Sequence, residues 1–364
     1  MKNNIKKVFV GLSGGVDSAV SATLLQKDGY EVTGVFIKAW TPEGYPCSWK
    51  EDRRSAMRVC AILNIPFITL DLEKEYKKEV VDYMIAQYKV GRTPNPDVMC
   101  NKEIKFGHFL KFALKNGADF VATGHYARVF PLLNQGEGDA KRGVRLMEGA
   151  DKNKDQSYFL WTLTQDQLKH ILFPIGHLQK SEVRKLAKKF NLPQAERKDS
   201  QGLCFLGKVD MKEFLSRYMP PQIGAVLDLE GKKIGHHNGA LFFTIGERHG
   251  FTITKKSNKE MPLYVISKNI KKNTITVAPQ HFGRPSKMLV KEVELKDINL
   301  IGKISKKDLL CRIRYRQEKI SCRIEKDKVI FDKPQMGISP GQSLVLYDGE
   351  ICLGGGIIDS TSSL

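Results

Sequence analysis

The sequence is short of the features that would place a protein in a membrane or outside the cell. No apolar run approaches the roughly 20 residues that cross a bilayer. The chain enters its first apolar stretch at Val8, so we expect no signal or transit peptide. Acidic residues are scarce: 40 Asp and Glu stand against 59 Lys and Arg, for a net charge of +19. We therefore expect a cytoplasmic protein with a polyanionic partner, nucleic acid first, although a Lys-rich proteome would explain part of the excess.

The seven cysteines follow no disulfide or metal-binding pattern. Their number is odd and no C-x-x-C pair occurs, which argues against a disulfide framework and against a zinc ribbon. Cys100 and Cys204 lie in polar segments marked by Pro or Gly, whereas the others lie in strand or helix patterns or lack such flanks. We expect those others to be structural thiols: Cys47, Cys60, Cys311, Cys322 and Cys352.

A glycine-rich segment, Gly11–Ser18, lacks both the Lys of the G-x-x-x-x-G-K-S/T loop and the spacing of G-x-G-x-x-G. It follows the apolar run 8–10, which predicts a buried strand, and precedes the amphipathic stretch 19–27, which predicts a helix. A strand, a glycine-rich turn and a helix N-terminus form an anion site, because backbone N–H groups and the helix dipole favour phosphate. The order Ser-Gly-Gly-x-Asp-Ser resembles the PP-loop of ATP pyrophosphatases, which cleave ATP between the α- and β-phosphates.

The side chains of this segment suit a nucleotide. Gly14 and Gly15 let the main chain come close to the ligand, and Ser13 and Ser18 offer hydroxyl groups to phosphate oxygens. Asp17 would repel a phosphate, which predicts that a Mg²⁺ ion lies between the two.

The pattern along the chain predicts an α/β protein of three parts. Strand and helix patterns alternate over the first 125 residues, which indicates a doubly wound parallel sheet with ligands at the carboxyl ends of its strands. Residues 131–155 are rich in Gly and charge and predict a hairpin or a mobile loop. From about Gly224 the period changes to two, and a small barrel closes the chain. We expect a PP-loop adenylating domain with Cys100 and Cys204 over 1–205, a small, mostly-β central domain over 206–285 and a C-terminal β-barrel over 286–364, the part that would contact a nucleic acid.

Three arginines, Arg312, Arg314 and Arg316, alternate with apolar residues over 311–316. In an extended strand this alternation puts the arginines on one face and the apolar side chains on the other. Guanidinium groups bind phosphate oxygens bidentately, so the face predicts contact with a nucleic-acid backbone. A solubilising barrel exterior is the alternative.

Two cysteines have electropositive settings. Cys100 closes Asn95–Cys100 directly before a predicted helix, beside Lys102 and Lys105, which predicts a thiol more ionised than usual. Cys204 closes the segment 199–204, between further basic residues.

Taken together, these segments resemble the tRNA-specific 2-thiouridylases over nearly the full length. The motifs that carry the resemblance are Ser13–Ser18, Asn95–Asp97 before Cys100, Ala122–Ala127, Lys154–Leu160, Asp199–Cys204, Pro340–Gln342 and Cys352–Gly356. The resemblance implies ATP-dependent 2-thiolation of the wobble uridine of tRNA. ATP adenylates the base with the help of Mg²⁺. Sulfur then arrives as a persulfide on Cys204, loaded by a cysteine desulfurase or a relay protein.

The resemblance also implies the residues of the site. Cys100 is the second nucleophile and forms a transient disulfide with Cys204, and Asp97 is the general acid/base. The ATP site comprises Gly11, Leu12, Ser13, Gly14, Gly15, Val16, Asp17, Ser18, Ile37 and Gly124. The target base is held by Asn95, Pro96 and Asp97, and tRNA is contacted by His125, Lys154, Asp155, Gln156, Arg314, Tyr315 and Gln342. Ile37 stands where the family usually has Met, and Ser55 stands where many members have Asp, so we leave the helix of Ser55 out of the site.

Two other classes of function remain open from the residues alone. A PP-loop ligase that forms amides would share the first motif without needing Cys100 or Cys204. A tRNA-binding protein without catalysis would keep the arginines without needing Asp17. We expect a monomer when free, and the sequence leaves the sulfur donor and the use of an iron–sulfur cluster undecided.

Overall fold

The computed structural model describes residues 5–45, 49–131, 143–197, 204, 210–254, 262–279, 289–304 and 308–363. Cys47 and most of the segment 199–206 lie outside the described residues, as do the predicted domain boundaries at 205/206 and 285/286. Within the described ranges, no helix combines the length and apolar character needed to cross a membrane.

The first part of the chain forms a parallel sheet of five strands: β1 (Lys7–Gly11), β2 (Glu31–Lys38), β3 (Phe67–Asp71), β4 (Phe120–Ala122) and, after the hairpin of β5 (Ala127–Pro131) and β6 (Val144–Glu148), β7 (Ile171–Leu172). The order of the strands in the sheet is β3-β2-β1-β4-β7. The helices are α1 (Val16–Lys27), α2 (Trp49–Leu63), α3 (Glu73–Tyr76), α4 (Tyr83–Lys89), α5 (Pro96–Met99), α6 (Phe109–Lys115), α7 (Gln165–Leu168), α8 (Lys180–Lys189) and α9 (Met211–Ser216).

Helices cover both faces of this sheet, as the run of apolar residues in β1 requires. Val8 and Val10 pack with Ala22 of α1 and Ala56 of α2 on one face. Phe9 packs on the other face within the cluster that contains residues of α4 and α6. The predicted doubly wound α/β fold is therefore confirmed. The Gly11–Ser18 segment leaves β1 at its carboxyl end, where the strand order changes direction between β1 and β4.

The central part forms a second sheet with the strands β8 (Gly224–Leu227), β9 (Lys233–His237), β10 (Phe251–Ile253), β11 (Leu263–Asn269) and β12 (Thr274–Pro279). Their order in the sheet is β10-β9-β8-β12-β11. Its core is built from alternating residues of these strands, among them Val226, Val265 and Ile275. The alternation of apolar and polar residues in this part of the sequence thus corresponds to strands with one buried face.

The C-terminal strands close into the predicted barrel. They are β13 (Val290–Leu300), β14 (Leu309–Arg312), β15 (Ile320–Glu325), β16 (Lys328–Gln335), β17 (Ser343–Asp348) and β18 (Ile351–Ser363). The order β13-β16-β15-β14-β17-β18 closes because β18 also pairs with β13. The start of β18 pairs with β6, so the hairpin of β5 and β6 adds strands from the first part of the chain to the barrel sheet.

The expectation that Arg312, Arg314 and Arg316 share one exposed strand face is wrong. Strand β14 ends at Arg312, and Arg316 has a positive φ of 62°, so the chain leaves the extended conformation before the alternation can continue. Arg314 is exposed, but Arg312 is only 9% exposed. Two buried carboxylates draw it inward: Arg312 Nη2 lies 3.0 Å from Glu148 Oε1 and Nη1 lies 2.7 Å from Asp155 Oδ2.

Replacing Arg312 by Met should therefore lower the free energy of unfolding by about 3 kcal/mol or more, because it removes the guanidinium that pairs with buried Asp155. Buried Glu148 also loses one of its cations, although Lys152 and Lys319 still contact it. Urea denaturation followed by circular dichroism measures the change. Arg323→Met, which breaks an exposed pair with Glu325, is the matched control and should cost less than about 1 kcal/mol. Equal and small effects in both variants would contradict a structural role for Arg312.

Candidate active site

The glycine-rich loop is a compact turn closed by its own hydroxyl groups. Ser18 Oγ donates to the carbonyl of Gly15 at 3.2 Å and accepts from the amide of Ser13 at 3.3 Å. Gly14 has a φ of 76°, and a Cβ atom there would lie 2.6 Å from the carbonyl oxygen of Asp52. Leu12 and Val16 are buried and anchor the two sides of the loop. The turn therefore presents backbone N–H groups and the start of α1 to a ligand, as an anion site requires.

A second segment, Thr123–His125, connects this loop to the cysteine-bearing helix. A Cβ atom on Gly124 would lie 2.8 Å from both Asp17 C and Ser18 N, so only glycine fits against the start of α1. The ring of His125 packs at 5.8 Å from the ring of Phe106 and accepts or donates a 2.7 Å hydrogen bond with Thr123 Oγ1. Burial lowers the pKa of His125 well below its usual value, so the imidazole is neutral. Its side chain lies inside the protein, and a tRNA contact stays a prediction.

Ile37 lies near the carboxyl end of β2, paired in register with Leu70 of β3, and it is only 5% exposed. This apolar side chain therefore lies at the edge of the sheet from which the glycine-rich loop leaves, and only a small area of it could contact a ligand.

Asp17 is held by two partners from distant parts of the chain. Lys180 Nζ lies 2.7 Å from Oδ1 and 2.8 Å from Oδ2, and the hydroxyl of Tyr126 donates to Oδ1 at 2.8 Å. Both oxygens of the carboxylate are therefore occupied by protein donors. This arrangement does not fit the expected role of Asp17 toward Mg²⁺. Among the described residues, no group of three or more His, Cys, Asp or Glu side chains is placed to hold a metal.

The two cysteines singled out in the sequence lie side by side, although 104 positions separate them. Cys100 Sγ donates to Cys204 Sγ at 3.4 Å. Cys100 is fully buried, whereas Cys204 is partly exposed. The free cysteines among the described residues include both, so this pair is a dithiol.

The helix that carries Cys100 changes its winding at that residue. Asn95 caps α5 with its side chain, which accepts from the amide of Val98 at 3.3 Å, and Pro96 occupies the first turn. From Cys100 to His108 the helix is wound with i→i+5 hydrogen bonds. Such segments are frequent at functional sites. This winding brings Lys105 onto the face of Cys100, and Lys105 hydrogen-bonds to Cys204.

The structure assigns the thiolate to Cys204, which corrects the expectation for Cys100. The hydrogen bond from Cys100 is the main cause that lowers the pKa of Cys204 to about 7; burial opposes it and the Lys105 ammonium adds to it. Burial raises the pKa of Cys100 well above its usual value. Cys100 comes directly after α5, more than one turn beyond the N-cap Asn95, so it is not at the helix N-terminus and the dipole does not offset its burial.

Asp97 and Tyr76 hold the backbone of Cys204. Asp97 Oδ1 accepts from its amide at 3.0 Å, and the hydroxyl of Tyr76 donates to its carbonyl at 2.6 Å. Burial raises the pKa of Asp97 above its usual value, although the bond from the Cys204 amide opposes this. A buried carboxyl group beside the two thiols is placed for proton transfer, and its raised pKa makes it a better proton acceptor than an exposed aspartate.

The barrel closes over the loop that carries Asn95 to Asp97. The side-chain amide of Gln342 donates to the carbonyls of Thr93 at 2.9 Å and Pro94 at 3.3 Å. The amide of Thr93 in turn donates to the carbonyl of Pro340 at 2.9 Å. Gly341 has a φ of 95°, and a Cβ atom there would lie 2.9 Å from Thr93 N. Gln342 thus positions the predicted base-binding loop from the C-terminal barrel.

The Lys154–Gln156 segment has a structural part and an exposed part. Asp155 is buried and binds Arg312, while Gln156 Oε1 accepts from the amide of Tyr126 at 3.0 Å. Lys154 is partly exposed. Nearby, the ring of Tyr315 packs 4.5 Å from that of Phe159. Lys154, Arg314 and Tyr315 therefore reach the surface, whereas the side chain of Asp155 supports the interior.

Sequence reasoning missed several residues that support the loop. Tyr126, Lys180 and Arg197 bind it from outside its motif; Arg197 Nη1 donates to the carbonyl of Gly14 at 2.8 Å. Helix α2, which was left out of the site, also contacts it, since Ser55 Oγ donates to the same carbonyl at 3.2 Å. Tyr126 lies inside the motif Ala122–Ala127, and Ser55 differs from the residue that many family members have, so both carried a signal in the sequence.

The fold and the loop together define a HUP-domain protein of the PP-loop class with a central barrel-type domain and a C-terminal β-barrel. Family models described as the tRNA methyl transferase HUP domain, the tRNA methyl transferase PRC-barrel domain and the aminomethyltransferase beta-barrel domain match residues 6–208, 212–279 and 290–358. A protein named tRNA-specific 2-thiouridylase MnmA from Streptococcus thermophilus is 45% identical over 98% of this chain and 96% of its own length. One of the same name from Staphylococcus carnosus is 45% identical over 99% and 96%.

The chain belongs to the tRNA-specific 2-thiouridylase family, and the resemblance found in the sequence is confirmed. It is thus a tRNA-uridine 2-sulfurtransferase by family. Among solved structures, a U34-tRNA thiolase from Methanococcus maripaludis matches 60% of this chain and 68% of its own with 19% identity and a TM-score of 0.36.

The assignment of the thiolate predicts the pH dependence of alkylation. The rate of iodoacetamide addition to Cys204 should rise with pH through a midpoint of about 7, because only the thiolate reacts. Cys100→Ala removes the bond that lowers this pKa and should move the midpoint upward, so that alkylation at pH 7 slows. Cys100→Ser keeps a donor and should move it less, and Lys105→Met should also raise it. Peptide mass spectrometry of the alkylated sites gives the rates; a midpoint near the usual thiol value in the unaltered protein would contradict the assignment.

Proposed function

We propose that this protein replaces the 2-oxygen of the wobble uridine of tRNA by sulfur, with ATP as the activating substrate and a persulfide on Cys204 as the sulfur source. The observation that carries the proposal is the dithiol: Cys100 Sγ and Cys204 Sγ lie 3.4 Å apart beside Asp97 and Lys105. Family membership supports tRNA as the substrate and the loop supports ATP. The choice of the wobble position rests on the resemblance.

The first step activates the base. The uridine O2 attacks the α-phosphorus of ATP, the bond to the β-phosphate breaks, and pyrophosphate leaves. The backbone N–H groups of Gly11–Ser18 and the positive end of α1 stabilise the charge that develops on the phosphates. Ile37 packs against the adenine, and Gly124 lets the segment after β4 lie against the start of α1, which faces the phosphates. Mg²⁺ stays a prediction as the counterion of the phosphates, with no role assigned to Asp17.

The second step delivers sulfur. The terminal sulfur of the Cys204 persulfide attacks C2 of the adenylated base, and AMP leaves with the former O2. Cys100 then attacks Cys204 Sγ, the S–S bond to the base-bound sulfur breaks, and the 2-thio group forms together with a Cys100–Cys204 disulfide. An external dithiol reduces this disulfide before the next turnover. Asp97 takes up or returns the proton, and the burial that raises its pKa makes it a better proton acceptor than an exposed aspartate.

Residues of both the PP-loop domain and the C-terminal barrel take part in binding the tRNA. Asn95, Pro96 and Asp97 hold the target base after it leaves the stack, and Gln342 keeps their loop in place. Lys154, Arg314 and Tyr315 contact the phosphates and sugars from the surface. Asp155, Gln156 and His125 act from the interior, where the structure has them bonded to protein groups.

The two alternatives lose support at this site. A PP-loop ligase without sulfur transfer would have no use for the buried pair of thiols. A non-catalytic tRNA-binding protein would have no use for a thiolate whose pKa is lowered to about 7.

The two cysteines should fail in different ways. Cys204→Ser should carry no persulfide after incubation with a cysteine desulfurase and should lower 2-thiouridine formation by at least about 10³-fold, while tRNA-dependent pyrophosphate release continues. Cys100→Ser should load sulfur and attack the base, but it cannot break the last S–S bond. A covalent tRNA–enzyme adduct should therefore accumulate, which dithiothreitol releases as thiolated tRNA.

Cys47→Ser, a cysteine outside both motifs, is the control and should behave as the unaltered protein. Gel electrophoresis of labelled tRNA detects the adduct, and nucleoside mass spectrometry detects 2-thiouridine. Persulfide and full thiolation in Cys204→Ser would contradict the assignment of the sulfur carrier.

Arg314→Ala should weaken tRNA binding and flatten its dependence on salt by about 0.7–0.9 in log–log slope, which is the value for one lost phosphate contact. Titrations of tRNA binding at several salt concentrations measure the slope. Arg323→Ala, which removes one charge from the same barrel, is the control for net charge. An equal change in both variants would mean that only the overall charge matters.

A further inference from the structure

Helix α8 places a lysine against the PP-loop. Lys180 Nζ lies 2.7 Å and 2.8 Å from the two carboxylate oxygens of Asp17, in the first turn of α1. The side chains are 13% and 31% exposed, so the pair is largely shielded from water. Lys180 also lies 5.8 Å from the centroid of the Tyr126 ring. None of the motifs that identify the family contains this lysine.

The start of α8 is firmly located, so the position of Lys180 is built into the fold. The amide of Lys180 donates to Asp151 Oδ2 at 3.0 Å, and Asp151 is buried. The preceding residue, Gln179, caps the helix, and its amide donates to Glu182 Oε2 at 2.7 Å. These bonds fix the first turn of α8 beside the first turn of α1.

The chemistry of the loop calls for a cation at this place. Nucleotide loops of the G-x-x-x-x-G-K-S/T type carry a lysine that reaches the phosphates, and the segment Gly11–Ser18 has none. An ammonium group is a compact charge on a flexible stem, so it can turn from a carboxylate to a phosphate oxygen without moving the backbone.

We propose that Lys180 contacts the phosphate oxygens of bound ATP during adenylation, and that Asp17 positions this lysine instead of binding a metal. The inference rests on the proposed adenylation step. Before ATP binds, Asp17 neutralises the ammonium and orients it toward the loop. When the bond between the α- and β-phosphates breaks, Lys180 stabilises the charge that passes to the leaving pyrophosphate.

The test compares Lys180→Met, Asp17→Asn and the double variant, with pyrophosphate release measured against ATP and against Mg²⁺. Each single change should lower kcat/KM for ATP by about 10²-fold, the usual cost of losing one group that stabilises the transition state. The double variant should lose little more, because both residues act through one contact. The half-saturating Mg²⁺ concentration should stay the same in all variants.

Lys188→Met is the matched control, since Lys188 lies on the same helix and forms an exposed pair with Glu196. It should leave all parameters unchanged. Lys180→Arg keeps the charge and should recover part of the activity, and thermal unfolding of each variant separates loss of folding from loss of the contact. If Lys180→Met does not fold, Lys180→Arg and Asp17→Asn still give the Mg²⁺ and ATP dependences.

A second measurement separates this inference from the proposed function. A fluorescent ATP analogue should bind at least about 10-fold more weakly to Lys180→Met than to the unaltered protein in EDTA, where no metal contributes. Normal pyrophosphate release and ATP-analogue binding in Lys180→Met would overturn the role of the lysine and leave adenylation intact. A raised Mg²⁺ requirement in Asp17→Asn but not in Lys180→Met, with multiplicative losses in the double variant, would make Asp17 a metal ligand and overturn the inference. No pyrophosphate release by the unaltered protein would contradict adenylation itself, whatever the analogue binding shows.

Discussion

The buried ion cluster around Arg312 is the contact on which the arrangement of the site depends. Arg312 comes from the barrel, whereas Glu148 and Asp155 come from the first part of the chain. A guanidinium and two carboxylates out of water are stable only when they meet with good geometry, so the cluster fixes how the barrel is joined to the parallel sheet. Asp155 is followed by Gln156, whose side chain holds Tyr126, and Tyr126 in turn holds Asp17 of the loop. A continuous series of bonds thus runs from the barrel to the nucleotide site.

The site separates its charges by burial. Cys100 and Cys204 have the same side chain, and their sulfur atoms lie side by side. Burial raises the pKa of Cys100 and keeps it protonated, whereas the hydrogen bond from Cys100 and the ammonium group of Lys105 lower the pKa of Cys204. An asymmetric dithiol of this kind suits a reaction in which one sulfur carries cargo and the other acts afterwards. In the glycine-rich loop, too, a partner from elsewhere in the chain sets the electrostatics, because the ammonium group of Lys180 neutralises the carboxylate of Asp17.

Close approach of backbones is the second device that builds the site. Gly124 lets the segment after β4 touch the start of α1, and Gly341 lets the barrel touch Thr93. In both places a Cβ atom would lie within about 3 Å of backbone atoms, a separation that non-bonded heavy atoms do not tolerate. These glycines bring the nucleotide loop, the cysteine-bearing helix and the barrel to one region.

The class of fold, the glycine-rich loop and the pairing between Cys100 and Cys204 could be predicted from the sequence alone. Strand–helix alternation, a glycine-rich turn and period-two strands are local patterns, and local patterns follow from residues that are neighbours in the chain. The sequence did not show that the side chain of Arg312 faces inward, that Cys100 stays protonated or that Asp17 is paired with Lys180. Arg312 turns inward because carboxylates more than 150 positions away in sequence lie there. Cys100 stays protonated because the folded chain buries it, and Asp17 is paired because α8 packs beside α1. Desolvation and charge pairing depend on what surrounds a group in three dimensions, so only the tertiary structure decides them.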